Sequence, residues 1–485
     1  MSLQSVTGLS FDFPKIRPVE IELSELPLTS DAGLLPIAHF DEQIGWTRQF
    51  ADALKDLRDA AAVDHSLLSM VRQRIFGILA DYPDQNDHDT LRSDPVFKLL
   101  AGRLPTDKDL ASQPTLSRFE NAVSIADLWR LRAVFVDQFI ASFNVPPRYL
   151  TLDVDAFDDP VHGHQQLSLF HGYYGNHQYL PIVFTCAETD AVVSIGLRHG
   201  TCAAFLGADD DLHYLIGRLR AVWPDVEIHL RGDGGFGVPV MFDVCQELQI
   251  LYTFGIGQNL RVQKFGEAIL AEAQQQYDQT GMPQRLFDRA WYQADSWPEP
   301  REMVIKAEVS ALGTNRRAVI TNRPGCQVSP QGIYDGYVER GESENRNKEL
   351  KCDLQADRLS DHRFVANYFR LYLHAATLNI LVRLRQTVTP AAPTAAELGI
   401  VTHLPDSALD EPARRQFFNR RRLWDPLRNG CASTWRTQLI KVAAEVITRA
   451  RRVIIRLSAS WPHLKTFQEV SRRIVELRSS SIPSG

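Results

Sequence analysis

The sequence predicts a multidomain α/β protein, in which a mixed β-sheet core is flanked by α-helical N- and C-terminal regions. Three observations support this: a length of 485 residues, a central run of alternating strand patterns, and helical periodicity before and after it. At roughly 100–200 residues per domain, the chain holds two to four domains. The composition, with 44% hydrophobic and 23% charged residues, is typical of a globular protein and excludes collagen-like, disulfide-stapled and disordered classes.

Residues 1–145 are predicted to form an α-helical N-terminal region. Apolar residues recur at spacings of three and four in residues 41–80, which is the repeat of one helix face. The helical pattern continues to about residue 142. It ends at Pro146 and Pro147, where alternation typical of strands begins.

Residues 146–260 carry the strand patterns of the predicted core. Residues 148–157, 180–187 and 192–198 alternate as strands do. A helix at 209–223, a strand at 226–231, a helix at 239–250 and a strand at 251–256 complete the order β-β-β-α-β-α-β. Three hairpin-linked strands followed by crossover units do not fit a purely parallel fold. The order is typical of the first part of an RNase H-like core.

Three further segments follow this core. Short strand patterns at 284–330 predict a β-rich insertion over residues 261–333. Residues 334–388 are predicted to be a long helical segment that returns to the core, and a stretch rich in Pro and Ala near 389–399 is a linker. Residues 400–485 are predicted to be a basic helical C-terminal region.

Acidic residues stand where two of the predicted strands end. Asp153 and Asp155 lie two apart in one strand, so they share a face of the sheet. Asp233 follows the strand 226–231 in the segment RGDGGFG. Hard cations such as Mg²⁺ prefer carboxylate oxygens as ligands. These aspartates are therefore candidate metal ligands.

A second group of candidates lies in the segment YVERGESENRNKELK. Tyr337, Arg340, Glu344 and Lys351 are separated by three, four and seven residues, which places all four along one stripe of a helix. One aromatic residue, two cations and one carboxylate do not make a core stripe. Two strand aspartates and a helix glutamate suit a two-metal site for phosphodiester displacement, with the cations neutralising phosphate charge.

The pattern Y-x2-R-x3-E-x6-K that begins at Tyr337, after a strand that leads into RGD, resembles the YREK signature of DDE transposases from bacterial insertion sequences. Asp155 in TLDVDAFDD resembles the first aspartate of that family, with Asp153 as an alternative, and Asp233 in LRGDGGFG resembles the second. The segments HGHQQ, HGYYG, LRSDPVFK and ANYFRLYLHAA are most similar to the insertion-sequence 1380 family. The resemblance covers roughly residues 20–460.

The resemblance implies a transposase that binds its terminal inverted repeats, cleaves the transposon ends and joins the freed 3′-hydroxyl to target DNA. It implies an RNase H-like core with a β-rich insertion, and a homodimer, because two ends must be brought together. Residues 1–145 are a candidate for end binding or dimerisation, and the cleavage pathway, with or without a DNA hairpin, stays open. The implied metal ligands are Asp155, Asp233 and Glu344 for two Mg²⁺ ions, with Mn²⁺ as a substitute, and the further catalytic residues are Tyr337, Arg340 and Lys351, the last two also contacting DNA.

Several neighbouring patterns have plainer interpretations. RGDGGFG contains a G-x-G-x-x-G spacing, but Asp233 would repel a pyrophosphate, which favours a carboxylate-bearing turn over a nucleotide site or a plain Gly-rich turn. Asp158 and Asp159 precede a proline, as turn residues do. His162 and His164 lack a third zinc ligand, which favours hydrogen bonding or DNA contact. Three acidic residues lie off the stripe and are expected on solvated helix faces, namely Glu342, Glu349 and Asp353.

Charge is distributed unevenly along the chain. The formal net charge of −6 taken alone argues against nucleic-acid binding. Residues 411–485, however, contain 16 Lys and Arg residues and 5 Asp and Glu residues, a net charge of +11. Such a basic end suits phosphate contact, the alternative being a solvated helix face. The candidate DNA-binding residues of this end are Arg420, Arg421, Arg422, Arg451 and Arg452.

No run of apolar residues approaches the length of about 18 that a membrane span needs, and the first residues lack a signal-peptide pattern. We therefore expect a cytoplasmic, nucleoid-associated bacterial protein with no membrane partner. The six cysteines are far apart, without C-x-x-C, which predicts reduced thiols and no zinc ribbon. Two alternatives to a transposase stay open: an RNase H-like nuclease that cuts without joining, and a catalytically silent transposase-derived DNA-binding protein.

Overall fold

A computed structural model describes residues 9–11, 19–21, 26–389, 394, 396–400, 416, 420, 427 and 430–480. Among these residues, no helix is long and apolar enough to cross a membrane. All six cysteines are free thiols. The first described elements are three short strands, β1 (Leu9–Phe11) and β2 (Val19–Ile21), which pair antiparallel, and β3 (Leu28–Thr29).

Seven α-helices in the described part of the chain precede the central sheet. The longest of them begins at a capping box, in which the Ser124 and Asp127 side chains each accept a hydrogen bond from the other residue's backbone N–H. Trp46, Phe76 and Phe135 are fully buried between these helices. The helices are α1 (Leu34–Ile44), α2 (Trp46–Asp52), α3 (Leu67–Leu79), α4 (His88–Leu91), α5 (Pro95–Leu100), α6 (Gln113–Ala122) and α7 (Ile125–Ile140).

An eight-stranded mixed sheet lies at the centre of the molecule, beside a small three-stranded sheet. The large sheet has the order β12-β13-β14-β11-β10-β4-β8-β9, and the small one has the order β5-β7-β6. The strands are β4 (Tyr149–Ala156), β5 (Asp159–Pro160), β6 (Leu169–His171), β7 (Asn176–Tyr179), β8 (Ile182–Cys186), β9 (Val192–Gly196), β10 (Glu227–Gly232), β11 (Leu251–Gly255), β12 (Gln284–Tyr292), β13 (Arg301–Ser310) and β14 (Gly313–Thr321).

The middle of the large sheet has the predicted succession of elements. Strands β4, β10 and β11 are parallel neighbours, and β8 and β9 continue the sheet antiparallel. Helices α8 (Ala208–Val222) and α9 (Pro239–Glu247) make the two crossovers that parallel strands require. The small sheet was not predicted; it is inserted between β4 and β8.

The segment predicted as a β-rich insertion extends the large sheet. Strands β12, β13 and β14 are antiparallel, and β14 pairs with β11. Two helices that the patterns did not reveal precede them, α10 (Leu260–Phe265) and α11 (Glu267–Thr280). The predicted strands are therefore present, but they are part of the central sheet.

The segment predicted as a long helical region from residue 334 is helical, but it is divided into several helices. The segment forms α12 (Pro330–Val338), α13 (Gly341–Lys348), a π-helix (Glu349–Asp353) and α14 (Phe364–Val388). Between α12 and α13 the Arg340 N–H bonds to the Tyr337 carbonyl and the Ser343 N–H to the Arg340 carbonyl. This i to i+3 bonding tightens the chain, next to the poor helix former Gly341.

The prediction of an entirely helical C-terminal region is wrong. Helix α15 (Ala432–Trp435) continues as a π-helix (Arg436–Ile440), and two strands follow, β15 (Ala444–Arg449) and β16 (Arg452–Leu457), before helix α16 (Leu464–Ser480). Strand β15 also pairs with β3. Most of the pairing of β15 is local, in the hairpin with β16, whereas the pairing with β3 joins segments more than 400 residues apart, which no local pattern shows.

One hydrophobic core unites segments that are distant in sequence. Buried residues of α1–α7, α14 and the C-terminal segment form one cluster, and a second cluster lies between the large sheet and α8 and α9. In the first cluster, the fully buried carboxylate of Glu120 forms ion pairs with two arginines. Its Oε1 lies 2.7 Å from Arg74 Nε, and its Oε2 lies 2.5 Å from Arg370 Nε. These pairs connect α3, α6 and α14 around a polar centre.

Candidate active site

Two of the candidate carboxylates lie side by side at one edge of the sheet. In the parallel pair of β4 and β10, Gly232 is opposite Val154, so that the next residues, Asp233 and Asp155, are neighbours. Adjacent strands are about 4.8 Å apart. The local patterns placed each aspartate at a strand end, and the pairing of the strands brings the two together.

Asp155 is held by hydrogen bonds to both carboxylate oxygens. The Ala156 N–H donates to Oδ1 at 2.9 Å, and the Asn347 side-chain amide donates to Oδ2 at 2.9 Å. Burial raises the pKa of Asp155 to about 6; repulsion from Asp233 adds to the shift, and attraction to Arg340 opposes it. The carboxylate is therefore poised near neutrality and gains from a nearby cation.

Asp233 lies in a tight turn that fixes its carboxylate. Its Oδ1 accepts a hydrogen bond from the Gly235 N–H at 2.8 Å, as in an Asx turn. A Cβ on Gly237 would lie 2.8 Å from the carbonyl oxygen of Gly255 in β11. The glycines thus allow the turn to pack closely against β11, which accounts for the G-x-G-x-x-G spacing without a nucleotide.

Arg340 links the third candidate carboxylate to the first. Its Nη2 lies 2.5 Å from Glu344 Oε1, and its Nη1 lies 3.8 Å from Asp155 Oδ2. The guanidinium carbon also lies 5.8 Å from the centre of the Tyr337 ring. Burial raises the pKa of Tyr337, and Arg340 opposes the shift while Asp233 and Glu344 add to it. Asp155, Glu344 and Tyr337 thus lie around Arg340, and Asp233 is the neighbour of Asp155.

Lys351 stands apart from the other residues of the predicted stripe. Its Nζ lies 2.8 Å from Asp158 Oδ1. The π-helix that contains Lys351 has a wider turn than an α-helix, so the side chain does not continue the line from Arg340 to Glu344. Since Asp158 is three residues after Asp155, Lys351 still lies on the same side of the sheet edge.

Asp159, predicted as a turn residue, lies in strand β5 and is fully buried. Neither of its carboxylate oxygens has a hydrogen-bond partner among the described residues. Burial raises the pKa of Asp159 well above its usual range; repulsion from Asp357 and Asp158 adds to the shift and Lys351 opposes it. Asp158 is half-exposed and pairs with Lys351, so it is not a simple turn residue either.

Asp153 is not an alternative to Asp155. It is buried, and its oxygens pair with Arg231 at 2.6 Å for Nε and 2.8 Å for Nη2. The remaining Nη1 of Arg231 donates to the carbonyl of Gly336 in α12. Asp153 therefore supports the site from behind, by connecting β4 and β10 to the helix that carries Tyr337.

One of the three acidic residues expected on solvated faces is buried instead. Glu349 Oε2 accepts hydrogen bonds from Arg346 at 2.7 Å and from Arg385 at 3.1 Å. The pairing connects the π-helix to α14. Glu342 is exposed and Asp353 is half-exposed, in agreement with the expectation.

The site offers two neighbouring carboxylates as metal ligands. No group of three His, Cys, Asp or Glu side chains within the described part of the chain is close enough to hold one ion. His162 and His164 are exposed, so they add no ligands. Asp155 and Asp233 form a pair of neighbouring carboxylates that suits a hard cation, whereas the Glu344 carboxylate contacts Arg340.

Two positions in contact with the candidate site residues were not predicted from the sequence. Asn347 donates to Asp155; it lies three residues after Glu344, a spacing that shares a helix face and was a usable indication. Gly255 ends β11, and a Cβ on it would lie 2.6 Å from the Tyr337 hydroxyl and 3.0 Å from the Gly234 nitrogen. Only the fold shows that this glycine makes room for Tyr337.

Replacing Gly255 with alanine tests this close approach. We expect Gly255→Ala to lower the free energy of unfolding by about 1–3 kcal/mol through overpacking, measured by urea denaturation. Gly257→Ala is the matched control, because a Cβ there meets nothing within 4 Å. Adding Tyr337→Phe to Gly255→Ala removes the contacting hydroxyl and is expected to recover part of the loss. Equal stability of the two glycine variants would contradict the packing.

The raised pKa of Asp155 predicts a dependence of stability on pH. Its pKa of about 6 in the folded chain exceeds the ordinary value of 3.8, so the folded state binds more protons between these values and stability falls as pH rises through that window. Without added divalent cations, we expect Asp155→Asn to exceed wild type by about 1–3 kcal/mol at pH 7.5, and the difference to vanish below pH about 4. The exposed Asp64→Asn is the control in denaturation at both pH values.

The candidate basic residues divide into two groups. Arg420 donates to the carbonyl oxygens of Leu398 at 2.7 Å and Gly399 at 3.0 Å, which gives it a structural partner. Arg451 and Arg452 are exposed at the turn between β15 and β16. The two remaining candidates, Arg421 and Arg422, lie outside the described residues.

Comparisons with known proteins give one family match. A family model described as transposase DDE domain group 1 matches residues 13–401. A search of the curated proteins finds no match. Among solved structures, the cryo-EM structure of a piggyBac transposase synaptic complex with hairpin DNA is 12% identical, covers 95% of this chain and 89% of that chain, and has a TM-score of 0.39.

Proposed function

The chain belongs to the family of transposase DDE domain group 1, whose model matches most of its length, and on that premise we propose that it cleaves the ends of its own element and joins the freed 3′-hydroxyl to target DNA. The observation that carries the proposal is the side-by-side placement of Asp155 and Asp233, with Glu344 connected to Asp155 through Arg340. We further propose the YREK branch, most similar to the insertion-sequence 1380 family, on the order Tyr337, Arg340, Glu344, Lys351.

We propose an RNase H-like core for the same chain. The support is the strand order β9-β8-β4-β10-β11, in which β4, β10 and β11 are parallel and β8 and β9 are antiparallel. Asp155 and Asp233 lie at the carboxyl ends of the two central parallel strands. Strands β12–β14, between Asp233 and Glu344, are the proposed insertion.

Family members use divalent metal ions, and Asp155 and Asp233 are the residues proposed to hold Mg²⁺, or Mn²⁺ in its place, with Glu344 as a third ligand. A bound ion supplies activation of the attacking oxygen and stabilisation of the leaving one. The two neighbouring carboxylates fit, because a cation offsets both the burial and the repulsion from Asp233 that raise the pKa of Asp155. For Glu344 to join them, its carboxylate has to separate from Arg340.

The positively charged side chains of Arg340 and Lys351 are proposed to bind the DNA phosphates. Arg340 presents a planar guanidinium between two carboxylates and offers donors in a geometry suited to phosphate. Lys351 lies beside Asp158 at 2.8 Å and supplies a point charge. Tyr337, whose hydroxyl lies against Gly255 and whose ring faces Arg340, is proposed to orient the helix junction that carries Arg340.

The turn of β15–β16 is the proposed contact with the DNA backbone outside the site. We expect Arg451→Gln with Arg452→Gln to weaken binding of duplex DNA and to reduce the slope of log K against log salt by about 2. Fluorescence anisotropy at several salt concentrations measures both. Arg472→Gln with Arg473→Gln is the control, because Glu469 already pairs with both arginines. An unchanged slope would remove this turn from the DNA interface.

A cleavage and joining assay tests the proposed function. The substrate is the DNA that flanks the reading frame, in which inverted repeats on both sides define the ends. With Mg²⁺, we expect the purified protein to nick these ends and to join pre-cut ends to plasmid DNA. Cutting without joining would indicate the nuclease alternative, and binding without cutting would indicate the catalytically silent one. Cross-linking on paired ends tests the proposed homodimer.

A further inference from the structure

A small sheet raises exposed aromatic side chains beside the candidate carboxylates. Strand β5 begins three residues after the end of β4, pairs with β7, and β7 pairs with β6 through a turn at residues 172–175. Phe170, Tyr173 and Tyr174, which we name the aromatic tip, are 52%, 87% and 39% exposed. Burying aromatic rings is a large favourable term in folding, so the fold gains little from rings placed here.

The base of this hairpin is firmly attached to the rest of the molecule. The Gly200 N–H donates to the Leu167 carbonyl, and the Gln166 N–H donates to the His362 carbonyl. A Cβ on Gly200 would lie 2.3 Å from the Leu169 carbonyl oxygen, so β6 rests directly on the chain below. The Tyr179 hydroxyl donates to Gln166 O at 2.7 Å. The aromatic tip is therefore exposed on a rigid support.

The rings of the tip hold one another in place. The Tyr173 and Tyr174 rings are 5.0 Å apart at 88°, and the His171 and Tyr174 rings are 5.0 Å apart at 61°. Phe170 contacts His177 at 5.7 Å. Edge-to-face contacts are a favoured arrangement of aromatic pairs, and the exposed fractions of the three rings show that part of their surface stays open to solvent.

The tip also lies within electrostatic reach of the site. Burial is the main cause of the raised pKa of Tyr174, and repulsion from Asp158, Asp233 and Asp155 adds to it. Open ring faces near carboxylates that handle a phosphodiester are suited to a nucleobase. Bases stack on aromatic rings whatever their identity, and a base is available for stacking where the strand is unpaired.

We propose that the aromatic tip is a stacking surface for an unpaired base of the DNA strand whose phosphate lies at Asp155 and Asp233. This inference rests on the proposed function, because it takes the substrate to be DNA. The tip holds the strand through its bases, whereas Arg340 and Lys351 hold it through phosphates.

Binding of a duplex with a single-stranded arm of about eight nucleotides tests the proposal, measured by fluorescence anisotropy in EDTA with the full chain. The comparison is the same duplex with abasic residues throughout the arm, which keeps the phosphates and removes the bases. We expect wild type to prefer the natural arm by about tenfold or more. Tyr173→Ala and Tyr174→Ala are each expected to reduce the preference by about 5- to 100-fold or to abolish it.

Two controls separate stacking from other effects. Tyr173→Phe and Tyr174→Phe retain the ring and are expected to keep the preference for the natural arm. Trp129→Ala removes an aromatic residue of α7 that is 60% exposed and is expected to leave the preference for the natural arm unchanged. Equal wild-type affinity for both arms, or equal weakening of both by the tyrosine variants, would overturn the inference. A change of oligomeric state in the tyrosine variants, with the preference for the natural arm retained, would also overturn the inference, because the rings would then contact a second copy of the chain.

The outcome is independent of the test of the proposed function. Asp155→Asn is expected to abolish cleavage and to keep the preference for the natural arm. If wild type cleaves the ends but shows no preference, only the stacking surface is wrong. If wild type shows the preference but does not cut or join any ends, the proposed function is wrong and the stacking surface stands.

Discussion

Asp155→Asn and Asp233→Asn are each expected to lower the rate of end cleavage by about a thousand-fold or more, the scale of losing a group that stabilises the transition state. The asparagine side chain keeps the size of each residue but has no charge to hold a cation. In Asp155→Asn the hydrogen bond to the Ala156 N–H is retained, so the turn of the chain is expected to stay intact. The measurement is single-turnover cleavage of labelled ends with Mg²⁺.

The free energy of unfolding of the same variant is the control for its loss of cleavage. Asp155→Asn is expected to be at least as stable as wild type at pH 7.5, because burial makes the Asp155 charge costly, as its raised pKa shows. Activity and stability therefore change in opposite directions, as at many functional sites. Full cleavage by either variant would contradict the assignment of the carboxylate pair.

Asp153→Asn is expected to lower the free energy of unfolding by about 3–5 kcal/mol, the cost of leaving one partner of a buried ion pair alone. Asp153 and Arg231 are both buried and pair through two hydrogen bonds. Removing the carboxylate leaves the guanidinium without its counter-charge. Urea denaturation in the absence of DNA measures the change.

A double-mutant cycle distinguishes the pair from a metal ligand. Asp153→Leu with Arg231→Met replaces both charges with apolar groups, which in buried sites is often far less costly than removing one. We expect the double variant to be more stable than Asp153→Asn. If Asp153→Asn were as stable as wild type and failed only in cleavage, Asp153 would belong with the ligands.

The strand succession of the core was predictable because its indications are local. Alternating apolar residues have a period of two whatever the strand pairs with, and β4, β8, β9, β10 and β11 were each located within a few residues. The strands β12–β14 were located in the same way. The small sheet was missed because β5 and β6 have only two and three residues, too few to show a period.

The helical stripe was predicted less well than the strands. Tyr337, Arg340 and Glu344 come together as their spacing indicates, but the chain between them bonds i to i+3 and the helix is interrupted. The π-helix then turns Lys351 toward Asp158. Small departures from 3.6 residues per turn accumulate along a segment, and sequence spacing alone does not reveal them.

Local patterns were enough to place the acidic residues relative to the ends of strands, since hydrophobic period and turn residues are local properties. Tertiary structure alone decided which aspartate is available, because Asp153 and Asp155 share a face and only the position of Arg231 tells them apart. It likewise decided that β15, besides forming a hairpin with β16, pairs with β3 at the other end of the chain. Pairing between distant segments is a long-range interaction, and no local pattern encodes its partner.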